Sequence, residues 1–183
     1  MHGAFGILEH GAIGETVDKL CLYCYPIRKL KTNELSILTT LFNYKDVNEM
    51  IAENTRDIEN GVIDIFALFH DDKLVGELHV KYDSEDKVFA EKGKRAYLFA
   101  FRILKDYQCR GFGSFLLEEV INRLKNIGYK ELTVGLEDDN ARARYMYEKK
   151  GFTKPIARIR ETYQGDSYEY DLMLRTEKER GEL

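Results

Sequence analysis

The stretch Gln108-Cys109-Arg110-Gly111-Phe112-Gly113-Ser114 follows an apolar run at 97–104 and opens a long amphipathic segment at 112–127. A strand that passes through a glycine turn into a helix presents the amides of the first helical turn, which have no partners within the helix. These amides and the positive end of the helix dipole together bind anions. Gly111 and Gly113 carry no Cβ atom that would keep a phosphate away, and the arginine before them adds a positive charge. The stretch therefore predicts a phosphate-binding turn.

Two common phosphate loops do not match this stretch. A Walker loop requires the string G-x-x-x-x-G-K-[ST], which occurs nowhere in the chain. A Rossmann fingerprint requires a small residue at position 116, where this chain has Leu116. Taken by itself, the string also fits a plain strand-to-helix turn that binds no ligand.

Length and composition indicate a globular protein of one domain. A chain of 183 residues is expected to form one domain, and 44% apolar with 33% charged residues is typical of a globular protein. The net charge of −4 does not favour a nucleic-acid partner. No apolar run approaches the ~20 residues that span a bilayer, and the N-terminus lacks a signal-peptide pattern. We therefore expect no membrane partner and a cytoplasmic location.

The three cysteines are Cys21, Cys24 and Cys109. An odd and low number argues against a disulfide framework. Cys21 and Cys24 have the spacing of metal ligands, but no second pair of cysteines or histidines completes a set of four. We expect two thiols ahead of the first strand, and no metal.

Strand and helix patterns alternate along the rest of the chain. Strands are predicted at 25–31, 62–70, 74–82, 97–104, 130–136, 156–163 and 168–174, and helices at 33–43, 46–60, 112–127 and 140–151. A helix joins the fourth and fifth strands, so these should run parallel, whereas hairpins make the rest antiparallel. The predicted fold is α/β (α+β), with one mixed, mostly antiparallel sheet of about seven strands flanked by about four helices. We expect a domain at 25–175, an N-terminal extension at 1–24 and a charged tail at 176–183.

A second motif runs from Asn140 to Phe152, Asn140-Ala141-Arg142-Ala143-Arg144-Tyr145-Met146-Tyr147-Glu148-Lys149-Lys150-Gly151-Phe152. It resembles the pattern N-x-x-A-x-x-x-Y-x-x-x-G-F of the GNAT superfamily of N-acetyltransferases. The glycine stretch is similar to that family's acyl-CoA pyrophosphate loop, Q-x-x-G-x-G. Both motifs, their separation, the strand order and the chain length agree with the family over about residues 25–174.

The resemblance implies a GNAT fold that uses acetyl-CoA as a cosubstrate. The parallel fourth and fifth strands would splay apart to admit CoA, and the backbone at 101–103 would pair with the pantetheine arm. Amides at 109–114 would hold the pyrophosphate, and Asn140 would reach the pantetheine from the opposite wall. The implied cofactor-binding residues are Phe101, Arg102, Ile103, Gln108, Cys109, Arg110, Gly111, Phe112, Gly113, Ser114, Asn140 and Tyr147.

By the same resemblance, Tyr147 would be a catalytic residue that protonates the leaving thiolate; the alternative is a core aromatic on an amphipathic helix. A base must also take the amine's proton, and Glu77 and His79, on one face of the third strand, are the best candidates, Glu77 first. The alternative for this pair is a solvated or structurally paired strand face. Some relatives place a glutamate on the fifth strand, where this chain has Thr133 and Gly135, so that base looks absent.

The implied activity is transfer of an acetyl group from acetyl-CoA to a primary amine, by direct attack in a ternary complex. The acceptor would be a small-molecule amine, a protein N-terminus or a lysine. Glu137, Asp138 and Asp139 precede the Tyr147 helix, and we expect them to attract a cationic amine, although they could equally cap that helix. The alternative function is a non-catalytic, acyl-CoA-binding regulatory module. A homodimer is left open.

Overall fold

The computed structural model describes residues 25–163 and 165–177. The strands are β1 (Ile27–Lys29), β2 (Ile63–His70), β3 (Lys73–Lys81), β4 (Arg95–Ile103), β5 (Glu131–Leu136), β6 (Lys154–Tyr163) and β7 (Asp166–Thr176). The helices are α1 (Val47–Glu59), α2 (Phe112–Asn126) and α3 (Ala141–Lys149), with 3₁₀ helices at Thr32–Thr40 and Lys105–Tyr107. The strand order in the described sheet is β1-β2-β3-β4-β5-β7-β6. Only β4 and β5 among these neighbours are parallel, which confirms the predicted mixed, mostly antiparallel α/β (α+β) sheet.

The first predicted helix is a 3₁₀ helix rather than an α-helix. Its apolar residues Leu35, Leu38 and Leu41 recur every three positions, which matches the three residues per turn of a 3₁₀ helix better than the 3.6 of an α-helix. Leu35 and Leu38 are buried against the sheet, so the segment keeps one apolar face despite its tighter winding.

The two faces of the sheet carry separate hydrophobic cores. Along β2, Phe66 and Leu68 belong to the core under α2, while Ile65 and Ala67 belong to the core under α1 and the first 3₁₀ helix. Because successive strand side chains point to opposite faces, these two cores lie on opposite sides of the sheet. No helix in the described residues is long and apolar enough to cross a membrane.

A bulge in β4 opens the centre of the sheet. His79 pairs with Phe99 and Glu77 with Arg102, so one β3 residue faces two on β4, and Ala100 there has a left-handed φ of +47°. Pairing between β4 and β5 runs from Arg95 with Glu131 only as far as Leu98 with Val134. Beyond that point the two parallel strands diverge, as the resemblance implied.

The sheet continues past the predicted end of the domain at residue 175. Strand β7 includes Thr176, and the amide of Glu177 donates to the carbonyl of Lys130 at 2.8 Å. The side chain of Glu177 also pairs with Arg175 at 2.7 Å and with Lys125. The predicted extension at 1–24, with Cys21 and Cys24, and the end of the predicted tail at 178–183 lie outside the described residues.

Candidate active site

The predicted phosphate turn joins β4 to α2. Gly111 precedes the helix with a φ of +88°, a left-handed conformation in which a side chain is strained. Phe115 is the residue whose amide makes the first helical bond, to the Gly111 carbonyl at 2.9 Å. The amides of Phe112, Gly113 and Ser114 therefore lie ahead of the helix's own hydrogen bonds and are positioned to bind an anion.

Side chains of the turn hold it against β4. The Gln108 amide nitrogen donates to the Ile103 carbonyl at 2.9 Å, so this carbonyl, expected to pair with pantetheine, already has one partner. Phe112 is buried and packs edge-on against Tyr107, and the Arg110 guanidinium lies 5.6 Å from the Phe112 ring centre. These side chains fix the shape of the turn, which leaves anion binding to its backbone.

The wedge between the diverging strands opens into a cavity of about 630 Å³. Between the two strands, the cavity is lined by Phe99, Ala100, Phe101 and Arg102 of β4, by Gly135 and Leu136 of β5, and by Asn140, Ala143 and Tyr147 at α3. The β4 backbone at 101–102 and the motif at 140–152 thus meet at one cavity, whereas none of residues 108–114 lines it. The arrangement suits an extended ligand that enters between β4 and β5.

Tyr147 lies in the wall of this cavity, with 7% of its surface exposed. Its ring packs edge-on against Phe152, at 5.6 Å between centres, and lies 6.4 Å from Phe101. Burial raises the pKa of Tyr147 well above its ordinary value, so the hydroxyl keeps its proton at neutral pH. A tyrosine in this state can donate a proton to a thiolate.

Asn140 lines the same cavity but also begins α3. Its side-chain oxygen accepts a hydrogen bond from the Ala143 amide at 3.0 Å, as an N-cap does. Only the NH₂ group of the side chain is then left to donate to a ligand.

Glu77 is fully buried beneath the cavity wall that His79 and Arg102 form. One carboxylate oxygen accepts from the Arg102 guanidinium at 2.7 Å, and the other lies 2.9 Å from the His79 Nε2. Burial alone would raise the pKa of Glu77, but the hydrogen bonds and charges of His79 and Arg102 outweigh it and hold this pKa below the usual value. Glu77 is thus a stable carboxylate with both oxygens occupied.

Residues 33–152 match the Acetyltransferase (GNAT) family model. The chain belongs to the GNAT family. The match covers the diverging strands and both motifs, the turn before α2 and the stretch at 140–152.

Known relatives resemble parts of this GNAT chain. The [ribosomal protein bS18]-alanine N-acetyltransferase of Haemophilus influenzae is 42% identical over 59 residues, which are 32% of this chain and only 40% of that protein. The ribosomal-protein-S18-alanine N-acetyltransferase from Escherichia coli superposes with a TM-score of 0.66 at 22% identity, over 86% of this chain and 97% of that one. PaiA N-acetyltransferase from Thermoplasma acidophilum, in complex with coenzyme A, gives 0.58 at 20% identity, over 83% and 98%. These two structural likenesses show the fold alone.

Three cavity-lining residues that the sequence did not reveal, Tyr97, Tyr170 and Glu161, are linked by hydrogen bonds. The Tyr97 and Tyr170 hydroxyl oxygens are 3.4 Å apart, and the Tyr170 hydroxyl donates to Glu161 at 2.9 Å. A Cβ atom on Gly135 would lie 2.8 Å from the Tyr170 ring, so glycine makes room for this tyrosine on β5. Burial raises the pKa of Tyr97 to about 12. Gly135, one of the two β5 positions at which a glutamate was sought, therefore lies against the Tyr170 ring of β7.

The three acids before α3 have different surroundings. Asp138 forms a two-pronged ion pair with Arg158, at 2.8 and 2.9 Å, and the hydrogen bond from Arg158 lowers the pKa of Asp138. The Asp139 carbonyl accepts from the Ala141 amide, and Glu137 lines the cavity. Four carboxylates line the cavity, those of Glu53, Asp57, Glu137 and Glu161, against the cationic side chains of Lys81 and Arg102. Of these four carboxylates only Glu137 belongs to the loop before α3, so most of the negative charge at the cavity comes from α1 and β6.

Proposed function

We propose that this protein is an N-acetyltransferase that moves an acetyl group from acetyl-CoA to a primary amine, by direct attack in a ternary complex. The observation that carries the proposal is the divergence of β4 from β5 after Leu98, directly ahead of the amides that begin α2. Past Leu98, the backbone at 101–103 borders the wedge, where the amide-containing pantetheine arm can pair as an added strand would. The amides at 109–114 then bind its pyrophosphate.

The residues around the wedge suit direct transfer. An uncharged amine attacks the thioester carbonyl, a C–N bond forms, and the C–S bond breaks to release a thiolate. Tyr147 donates its phenolic proton to that sulfur, and a β4 amide near the bulge stabilises the negative oxygen of the transition state. PaiA, which shares the fold, binds coenzyme A.

The acceptor we propose is a cationic amine, either a protein N-terminus or lysine, or a small molecule. Four carboxylates against two cations give the cavity a negative potential, and its aromatic residues offer faces on which an ammonium group can lie. Among these acceptors the protein N-terminus stands first, because the H. influenzae relative is an alanine N-acetyltransferase of a ribosomal protein.

The test is a panel of amines with acetyl-CoA, followed by thiol release: a peptide that begins with alanine, spermidine, free lysine and a neutral amine. We expect release with at least one cationic amine, together with an acetylated product of matching mass. Tight CoA binding without thiol release from any amine would instead support the alternative, a non-catalytic acyl-CoA-binding regulatory module.

We expect salt to weaken the use of cationic acceptors. The Debye length falls from ~30 Å at 0.01 M to ~10 Å at 0.1 M ionic strength, so the pull of the cavity carboxylates on spermidine should shrink. The measurement is kcat/KM for spermidine and for a neutral amine across this range, with KM for acetyl-CoA followed separately. Equal salt dependence for both amines would show that the carboxylates do not select the acceptor.

The thiol of Cys109 is not expected to carry the acetyl group. Cys109 is exposed in the phosphate turn and is absent from the residues that line the cavity. Cys109→Ala keeps the backbone amide that binds phosphate, so the variant should retain acetyl transfer, and mass spectrometry should detect no acetylated enzyme during turnover. A turnover-competent acetyl-Cys109 would contradict direct attack.

A further inference from the structure

His79 lines the cavity and carries a buried ring nitrogen without a hydrogen-bond partner. Its side chain lines the cavity beside Phe99, the residue before the β4 bulge, and the two rings meet edge to face at 5.1 Å. The Nδ1 atom is buried and has no hydrogen-bond partner, the single such side-chain nitrogen or oxygen in residues 25–163 and 165–177. Because buried polar atoms are almost always paired, this nitrogen calls for a partner that the protein does not supply.

Glu77 determines which ring nitrogen of His79 carries the hydrogen. An ionised carboxylate only accepts hydrogen bonds, so the Nε2 atom that faces it at 2.9 Å must be the one that bears hydrogen. In a neutral imidazole, Nδ1 is then a bare lone pair. Arg102 fixes the other oxygen of Glu77 at 2.7 Å and also donates to the Tyr44 hydroxyl at 3.0 Å. The carboxylate is therefore held in place and ionised.

Charged and titratable groups from several elements line the cavity or contact the Glu77–His79 pair. They are Glu77 and Lys81 of β3, Tyr97 and Arg102 of β4, Glu53 and Asp57 of α1, Glu161 of β6, Tyr170 of β7, and Tyr44 ahead of α1. Glu77 is the carboxylate in direct contact with the imidazole, so it is the group that stabilises a positive charge there.

We infer that His79 is the base that deprotonates the acceptor, and that Glu77 is a positioning residue which holds its tautomer. This inference rests on the proposed function. The ammonium N–H bond breaks, an Nδ1–H bond forms, and the freed amine attacks the thioester. The imidazolium is balanced by Glu77 until its proton passes to solvent. The sequence suggested Glu77 as the base. Because both of its oxygens are occupied, we assign the proton to His79 instead.

The first test needs no acceptor. Long-range ¹H–¹⁵N spectra of the histidine-labelled protein, with His79→Gln to assign the signal, report which ring nitrogen carries hydrogen. We expect hydrogen on Nε2 and a bare Nδ1 at neutral pH. Hydrogen on Nδ1 of the neutral ring would overturn the inference, whether or not the protein transfers acetyl groups.

The second test uses kinetics with an alanine-initiated peptide and with spermidine. His79→Ala should lower kcat/KM by roughly 10²–10⁴-fold, and added imidazole should restore part of the loss. Phe99→Ala is the matched control, because it opens space beside the same ring and should show no rescue by imidazole. CoA affinity should stay near wild type in His79→Ala, whereas thermal unfolding should occur at a lower temperature, because a buried Glu77 oxygen loses its hydrogen-bond partner.

Glu77→Gln separates the two roles. If Glu77 only positions His79, this variant should lose far less activity than His79→Ala. The ¹H–¹⁵N spectra of this variant should show a mixture of ring tautomers, because a glutamine amide can both donate and accept, whereas a carboxylate only accepts. Should Glu77→Gln fail to fold, Arg102→Gln, which leaves both residues in place, should likewise lose far less activity than His79→Ala. An active His79→Ala without rescue would overturn the inference, whereas a wild type inactive with every amine would overturn the proposed function.

Discussion

Tyr147→Phe is expected to lower kcat by about 10²–10⁴-fold, the usual effect of losing a positioned general acid. The substitution keeps the ring that packs against Phe152 and Phe101 and removes only the hydroxyl at the cavity. The leaving thiolate then departs without its proton donor. KM for acetyl-CoA should change little, because the lost interaction is made in the transition state.

Tyr145→Phe is a matched control for this prediction. Tyr145 lies two residues earlier on α3, is 62% exposed, contacts Lys149 and is not among the residues that line the cavity. This variant should keep wild-type kcat. The comparison is made by single-turnover kinetics, so that chemistry and not product release is observed. An unchanged chemical rate in Tyr147→Phe would remove the tyrosine from the acid role and favour its alternative as a packing residue.

The turn and the Asn140 helix were predictable because their requirements are local. The amide site needs a glycine at the φ of +88° that precedes α2, and Gly111 satisfies this need within the motif itself. The N-cap at Asn140 and the buried face at Tyr147 likewise follow from one helix. The 3₁₀ helix at Thr32–Thr40 was predicted as a helix, and its three-residue spacing is the clue to the finer type.

The chemistry beside the wedge was less predictable because it depends on strand order. Tyr97, Tyr170 and Glu161 come from β4, β7 and β6, and β7 inserts between β5 and β6 in the sheet. No spacing along the chain records that Tyr170 lies against Gly135. The pairing of Glu77 with His79 is local, but the burial of both and the clamp from Arg102 depend on the cross-strand register of β3 with β4.

Gly113→Glu is expected to weaken CoA binding by about 100-fold or more. A Cβ atom on Gly113 would lie 3.4 Å from Phe101, 3.6 Å from Ile103 and 3.7 Å from the sulfur of Met146, all ordinary contacts. The first carbon therefore fits, and the rest of the side chain must extend into the wedge or toward the free amides. A carboxylate there competes for those amides and repels the pyrophosphate, at roughly 3 kcal/mol per charge for ~5 Å and an effective dielectric constant of ~20.

Two further variants separate charge from bulk at this position. Gly113→Gln has nearly the same size without charge, and Gly113→Ala adds only the carbon that fits. We expect affinity for CoA, measured by calorimetry, to fall in the order Ala, Gln, Glu, and the Glu variant to unfold no more easily than the Gln variant, because a carboxylate suits a helix N-terminus. Near-normal CoA affinity in folded Gly113→Glu would mean that the pyrophosphate does not bind at this turn. The loss should also diminish for CoA fragments that lack the pyrophosphate, such as pantetheine, since the repulsion acts on phosphate charge and not on the arm along β4.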